Sequence, residues 1–522
     1  MAANEEARRE RLTIAVVALA SAISLLPFWL VDTLPGLDHP AHFARMRILT
    51  DALAGRPISP FWQVDFHLVP NLAIDLVVPP LALLLGVDLA LRIVVSIIAV
   101  LPIFGAILLQ RALFGRVGAS VVLATAIVFN WPLAFAFYNA AAGAGLMLVA
   151  LAVWIRMADR RGPQLLVMTL LTSLLWICHA LPFLVLGMAI GLYELSVAIR
   201  TRDIAPKRLA ARALEILAPF LPGLVAFALT YRIPAAAPVD FLPIMVRLGF
   251  LFGPVDDGTF SSSLMVRVSL AVAVGIGLLS RVIVPHPDAR WIVVVLIVLA
   301  LVSPINAGNG AFVPLRLIAI LWFCVAGITQ FRGSPRVAAG VLAFGLAVAT
   351  AQSWLVGSRW LAEQEELASF RRTIAAVVPP GSRILPVQPN DSTKALRQSH
   401  WIDYSVVDIG AYSPTFFALP GLQIIRHTPT VAPIGPRLTH EVGAGMAAWI
   451  LRADGPSAAK LPPIVRDTWW WLLDWSCRFD VLVDLREDQP SLPPDPRLES
   501  LASRPGLDIW RIRPAAHCAA RG

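Results

Sequence analysis

Residues 34–49 read LPGLDHPAHFARMRIL. An apolar run long enough to cross a membrane ends just before them, so the stretch lies where the chain leaves the lipid. It holds one acid, Asp38, two histidines, His39 and His42, and two arginines, Arg45 and Arg47. Pro40 suits the first position of a helix, with Asp38 or His39 as its cap. Over the predicted helix 40–53, Phe43, Met46, Leu49 and Leu53 share one apolar arc, while Arg47 and Asp51 point away from it. His42 falls inside the arc and is expected against protein or lipid headgroups.

The rest of the chain explains why such a stretch matters. Of 522 residues, 57% are hydrophobic and 15% charged, whereas soluble domains hold about 45–50% apolar and about 25% charged residues. The composition is that of a polytopic membrane protein. The formal net charge of +9 is an arginine excess spread over short loops. It reads as a topology signal, and no nucleic-acid-binding patch stands out. Cys178, Cys324, Cys477 and Cys518 lack metal-ligand spacing, and a Cys477–Cys518 disulfide is one open pairing. The N-terminal apolar run is too long for a signal peptide and has no small-residue cleavage site, so it is read as a retained first helix.

Basic clusters at Arg8–Arg11, Arg111–Arg116, Arg156–Arg161, Arg200–Arg212, Arg281–Arg290 and Arg332–Arg336 punctuate the apolar runs. Placing them in the cytoplasm makes each interval a membrane hairpin. Spans are then expected near 12–31, 89–110, 118–136, 140–157, 164–178, 181–199, 213–231, 263–281, 290–305, 313–331 and 337–356. Residues 71–86 also look apolar, but they are short, hold Asp75 and are interrupted by Pro79 and Pro80. They are read as an interfacial helix, with a twelfth span as the alternative. The expected fold is mainly α. A transmembrane domain over 1–357 carries an outer loop at 32–88, and a small α/β extracytoplasmic domain occupies 358–522. In that domain SRILPV, FDVLVDL and LDIWRI read as strands. The expected location is the bacterial inner membrane.

This layout resembles the GT-C membrane glycosyltransferases, with protein O-mannosyltransferases and lipid A aminoarabinose transferases similar in arrangement. Those families open the first outer loop with an acidic pair, a tyrosine four positions after the first acid, and a distal Ala-Arg. Here DHPAHFAR supplies Asp38, His42 at the tyrosine position, and Ala44-Arg45. His39 stands where the second acid would be. Pro70, Leu72, Gly86, Arg92 and ALFGR at 112–116 follow in the families' order. The likeness covers residues 12–116 and is one of layout beyond them.

The resemblance implies transfer of a sugar from a polyprenyl-phosphate carrier to an acceptor, whose identity is open, on the periplasmic face. Such a reaction needs a base near the interface and cations at the leaving phosphate. Asp38 is the candidate base, read against a helix-capping role, and His42 would orient the acceptor or Asp38. Arg92 and Arg316, each near a span's outer end, are candidate phosphate contacts. Arg45, expected to be more exposed, and His179, in a polar break between two apolar runs, complete the substrate-binding set. No metal site is assigned. A divalent metal on His39, His42 and His67 is conceivable, but the spacing does not support it. Asp256 and Asp257 form an acidic pair better explained by turn chemistry, and Trp469–Trp471 reads as packing. The rival readings are a non-catalytic GT-C-like protein that binds a lipid carrier, and a transporter.

Overall fold

The computed structural model describes residues 2–230, 239–253, 255, 260–307, 310–387, 398, 400–418, 423–429, 431, 470–486, 492, 494–516 and 518. Its helices, in chain order, are α1 (Ala2–Leu30), α2 (His39–Leu53), α3 (Ala73–Leu85), α4 (Val87–Phe114), α5 (Trp131–Ala134), α6 (Tyr138–Arg156), α7 (Arg161–Cys178) and α8 (Ala180–Thr201). There follow α9 (Pro206–Leu217), α10 (Leu221–Thr230), α11 (Ile244–Phe252), α12 (Phe260–Leu279), α13 (Arg290–Val302), α14 (Val313–Ile328) and α15 (Pro335–Val377). The chain divides into two compact units, one of residues 1–32, 68–77 and 92–360, the other of 33–67, 78–91 and 361–522.

The first unit is a helical membrane domain. Among the described residues, seven helices are long and apolar enough to cross a bilayer, and four shorter apolar helices accompany them. Their outward faces are as apolar as their inward ones. On α7, Leu166, Leu170 and Leu174 are exposed while Met168 and Leu175 are buried; on α12, Val268, Val272 and Ile276 are exposed while Leu270 and Val274 are buried. An exposed leucine or valine stripe at helical spacing requires an apolar solvent. The protein is a multi-pass membrane protein.

Two segments depart from simple spans. α3 has 13 residues with Pro79 and Pro80 inside. At about 1.5 Å per residue it reaches about 20 Å, short of the ~30 Å hydrocarbon core. Gly86, at φ +78°, ends it in the left-handed region that favours glycine, and α4 begins at once.

The span expected at 118–136 is no single α-helix. It is a 3-10 helix over Ala119–Ile127 followed by α5. The β-branched Val121, Val122, Thr125 and Ile127 weaken an α-helix, and Asn130 caps a new turn that Pro132 opens. The segment still runs the length of α14. At its start Gln110 accepts from Gly118 N–H (2.6 Å) and donates to the Thr329 carbonyl (2.6 Å). At its end Phe135 and Phe137 pack on Phe312. All nine residues of the 3-10 helix are buried, which is where irregular backbone is tolerated at membrane depth.

The second unit is built on a sheet. Its strands are β1 (Trp62–Val64), β2 (Ile384–Val387), β3 (Ile425–His427), β4 (Val481–Leu485), β5 (Leu498–Arg504) and β6 (Leu507–Ile512). Four of them lie in the order β5-β6-β4-β2. β5, β6 and β4 are antiparallel neighbours, and β2 runs parallel to β4 with Ile384 opposite Val481. β1 pairs antiparallel with β3, Trp62 opposite His427. Trp62 is buried against Tyr412, Phe416 and His427. The expected division counted the whole loop 32–88 with the helices; instead residues 33–67 and 78–91 cluster with 361–522. Strand pairing and one buried tryptophan account for the difference. A disulfide joins Cys477 to Cys518.

Candidate functional site

In the sheet-bearing unit the site grows from the start of α2. Asp38 precedes the helix at φ −89°, ψ 0° and makes no side-chain cap hydrogen bond. Its Oδ1 lies 3.7 Å from Nε2 of His400. His400 Nδ1 is 2.9 Å from Oδ2 of Asp403, and the Ser413 and Thr415 hydroxyls donate to Asp403 Oδ1 at 2.7 and 3.0 Å. Asp403 is completely buried, so three donors replace the water its carboxylate has lost. The result is a row of carboxylate, imidazole and carboxylate.

His42 and Arg45 stand one turn further along α2. Arg45 Nη2 lies 3.2 Å from His42 Nδ1, the reach of an i,i+3 pair. The Phe417 ring packs against both His42 (6.0 Å) and His400 (5.0 Å). Arg45 was expected to be exposed, yet it is buried, as are His39 and His42. Residues from the far end of the chain cover this face. Phe43 packs on Tyr404 (5.8 Å), and Arg371, ion-paired with Asp408, lies 4.6 Å from the Tyr404 ring. Burial pushes the Tyr404 hydroxyl well above its ordinary pKa, so it stays neutral. Arg47 and Asp51 pair with each other on the outer face (2.8 Å).

The helical unit holds the other candidates. His179 joins α7 to α8, and its Nδ1 accepts from Leu181 N–H at 3.1 Å. Its Nε2 is 3.3 Å from Arg316 Nη1. A neutral imidazole has one acceptor nitrogen, so these two donors compete for it. The Arg316 guanidinium also lies 4.4 Å from the Phe137 ring. It contributes the charge to an apolar cleft whose lining includes Ile98, Pro102, Leu133, Ile320 and Phe323.

Arg92 donates to the carbonyls of Phe28 (2.6 Å), Val31 (2.7 Å) and Asp32 (2.9 Å). Three of its five donors thus satisfy the C-terminal end of α1. Asn139, in the first turn of α6, accepts from Ile74 N–H (3.0 Å) and donates to the Asn71 carbonyl (2.7 Å), anchoring the start of α3.

His67 Nδ1 meets the Asp65 carbonyl at 2.7 Å. Among the described residues, no group of three His, Cys, Asp or Glu side chains is placed to hold a metal ion. Asp256, Asp257 and Trp469 lie outside the described residues, and Trp471 is buried beside Phe479. His400, Asp403, Ser413 and Thr415 escaped the sequence reading. Its one trace there is the i,i+3 spacing of His400 and Asp403, which is common in any turn.

No family model matches the chain, and no curated protein matches it in sequence. The structure is similar to that of ArnT from Cupriavidus metallidurans bound to undecaprenyl phosphate. The TM-score is 0.54 at 13% identity, over 97% of this chain and 98% of that one. Against the apo state of the same protein the TM-score is 0.46, with the same identity and coverage. The likeness is one of fold: the chain has the ArnT-like, GT-C type layout that residues 12–116 implied.

Proposed function

We propose that the protein is a membrane glycosyltransferase, moving a sugar from a polyprenyl-phosphate carrier to an acceptor on the extracytoplasmic side of the bacterial inner membrane. The observation that carries this reading is Asp38: an acid that heads α2 without capping it, in a fold shared with a protein crystallised with undecaprenyl phosphate. In the proposed reaction Asp38 takes the proton of an acceptor hydroxyl or amine. The acceptor attacks the anomeric carbon with inversion, the bond from that carbon to the phosphate oxygen breaks, and the polyprenyl phosphate leaves with the electron pair. Arg316 stabilises the charge growing on that phosphate. It would exchange its shared contact with His179 for a stronger charge-assisted bond. His42 and Arg45 orient the acceptor. Arg92 is assigned to holding the end of α1 rather than to the phosphate. The Cys477–Cys518 disulfide supports an oxidising compartment for the C-terminal region.

A second reading keeps the lipid phosphate and drops the chemistry, because His39 and His42 replace an acid and an aromatic of the related families. Membranes containing the wild type or Asp38→Asn, supplied with polyprenyl-phosphate-linked sugars, separate the two. Transfer by the wild type that is lost in the variant supports the enzyme. Retained lipid-phosphate binding with no transfer by either supports the second reading.

A further inference from the structure

We infer that His400, held by Asp403, receives the proton that Asp38 removes from the acceptor. The inference rests on the reading of Asp38 as the base and adds where the proton goes next. Asp38 Oδ1 faces His400 Nε2 at 3.7 Å, and Nδ1 of the same ring meets Asp403 at 2.9 Å. Asp403 accepts from two hydroxyls on its other oxygen and is anchored by them. A carboxylate so fixed accepts the Nδ1–H and leaves the Nε2 lone pair directed at Asp38. The contact at 3.7 Å is longer than a hydrogen bond. A side-chain movement of about half an ångström closes it, and contacts of this kind shorten when substrate binds.

The proton balance is simple. The acceptor O–H or N–H bond breaks, its electron pair forms the new bond to the anomeric carbon, and the proton passes to Asp38 and then to Nε2 of His400. Asp38 is again ionised, and the imidazolium gives up its proton to water before the next turnover. His400 acts through Asp38, so it is a positioning and relay residue. The row also sits inside protein: His400, Asp403, Ser413 and Thr415 are all buried. Buried polar side chains in such a row are expensive unless each finds its partner.

The test is a set of variants in the full-length protein, assayed for sugar transfer from a polyprenyl-phosphate donor. His400→Asn keeps an N–H to donate to Asp403 but cannot accept a proton at the position of Nε2. The expected result is a fall in kcat on the order of 10²-fold with KM for donor and acceptor unchanged. Unchanged kcat in His400→Asn, with Asp38→Asn inactive, overturns the relay and leaves Asp38 as the base. Full activity in Asp38→Asn overturns both. A second measurement does not depend on turnover. Nitrogen-15 NMR of histidine-labelled protein, with His400→Asn to assign the signal, reads the tautomer at neutral pH. The relay requires a proton on Nδ1, and a ring protonated on Nε2 alone overturns it.

Discussion

Asp38 heads α2 without a side-chain cap hydrogen bond, and this is the difference between a cap and a reagent. Removing a capping aspartate lowers stability by about 1 kcal/mol. Removing a base abolishes turnover and leaves the fold intact. Asp38→Asn is therefore expected to leave the thermal midpoint in detergent within a degree or two and to eliminate sugar transfer. A large drop in midpoint with transfer retained would return Asp38 to a capping role. Arg316→Ala is expected to reduce the transfer rate by roughly 10²–10³-fold, the effect of losing one charge contact at an oxyanion worth about 3–4 kcal/mol. It should also weaken binding of undecaprenyl phosphate, measured by direct titration. Asp38 and Arg316 were both visible in the sequence as candidates, because an ionisable group at a membrane boundary is conspicuous against apolar neighbours. His400 and Asp403 were not, because they lie in a mixed stretch with no membrane boundary to single them out. Their partner lies at the other end of the chain.

At the scale of elements, two contacts decide how helices and strands come together. Where α4 meets α6, Gly145 faces Leu101 and Pro102. A Cβ built on it would fall 2.6 Å from Leu101 Cγ and 2.8 Å from the Pro102 nitrogen. Backbone cannot rotate away, so Gly145→Ala must part the helices, as small-residue contacts between membrane helices predict. A loss of about 1–3 kcal/mol is expected. Gly191→Ala in α8, where a Cβ meets nothing within 4 Å, should be neutral or slightly stabilising. Equal midpoints for the two variants would contradict the close approach.

In the sheet, Asp484 of β4 lies opposite Asp508 of β6, and both are buried. Burial pushes the Asp484 pKa up to about 7, with Asp508 raising it further and Arg486 opposing. The folded value exceeds the unfolded one, near 3.9. The contribution of Asp484 is therefore fully present below about pH 4 and is lost as pH rises through about 7. The thermal midpoint of Asp484→Asn minus that of wild type should increase across that window, and a constant difference would contradict the shift. These strands were legible from their alternating and clustered apolar residues. The 3-10 winding of Ala119–Ile127 was not, since hydropathy reports that a segment is apolar and not how its backbone is wound.

At the scale of the molecule, the strand pair β1–β3 carries the consequence for topology. Hydropathy correctly marked where apolar helices lie, but it placed the end of the last span at 356, whereas α15 continues to Val377. The added turns are rich in Ala, Leu, Glu, Gln and Arg, which are strong helix formers whatever the solvent. The same reading left the first outer loop and the C-terminal region as separate bodies. β1 in the loop is hydrogen-bonded to β3 in the C-terminal region, so both belong to one body, and that body has one side of the membrane. An even number of passages must then separate residues 67 and 361. Among the described residues, six helices between Val87 and Val377 are long and apolar enough to cross, and three shorter apolar ones lie among them in sequence. Single cysteines at Ala54 and Ser500, both exposed, are therefore expected to react with a membrane-impermeant maleimide in intact spheroplasts. A cysteine at Ala158, beside the basic cluster between α6 and α7, is expected to react only after lysis. The two native free thiols, Cys178 and Cys324, are buried and should stay silent. Labelling at 54 without labelling at 500 would break the β1–β3 pairing on which the argument rests. Labelling at 158 in intact spheroplasts would invert the assignment of the basic clusters to the cytoplasm.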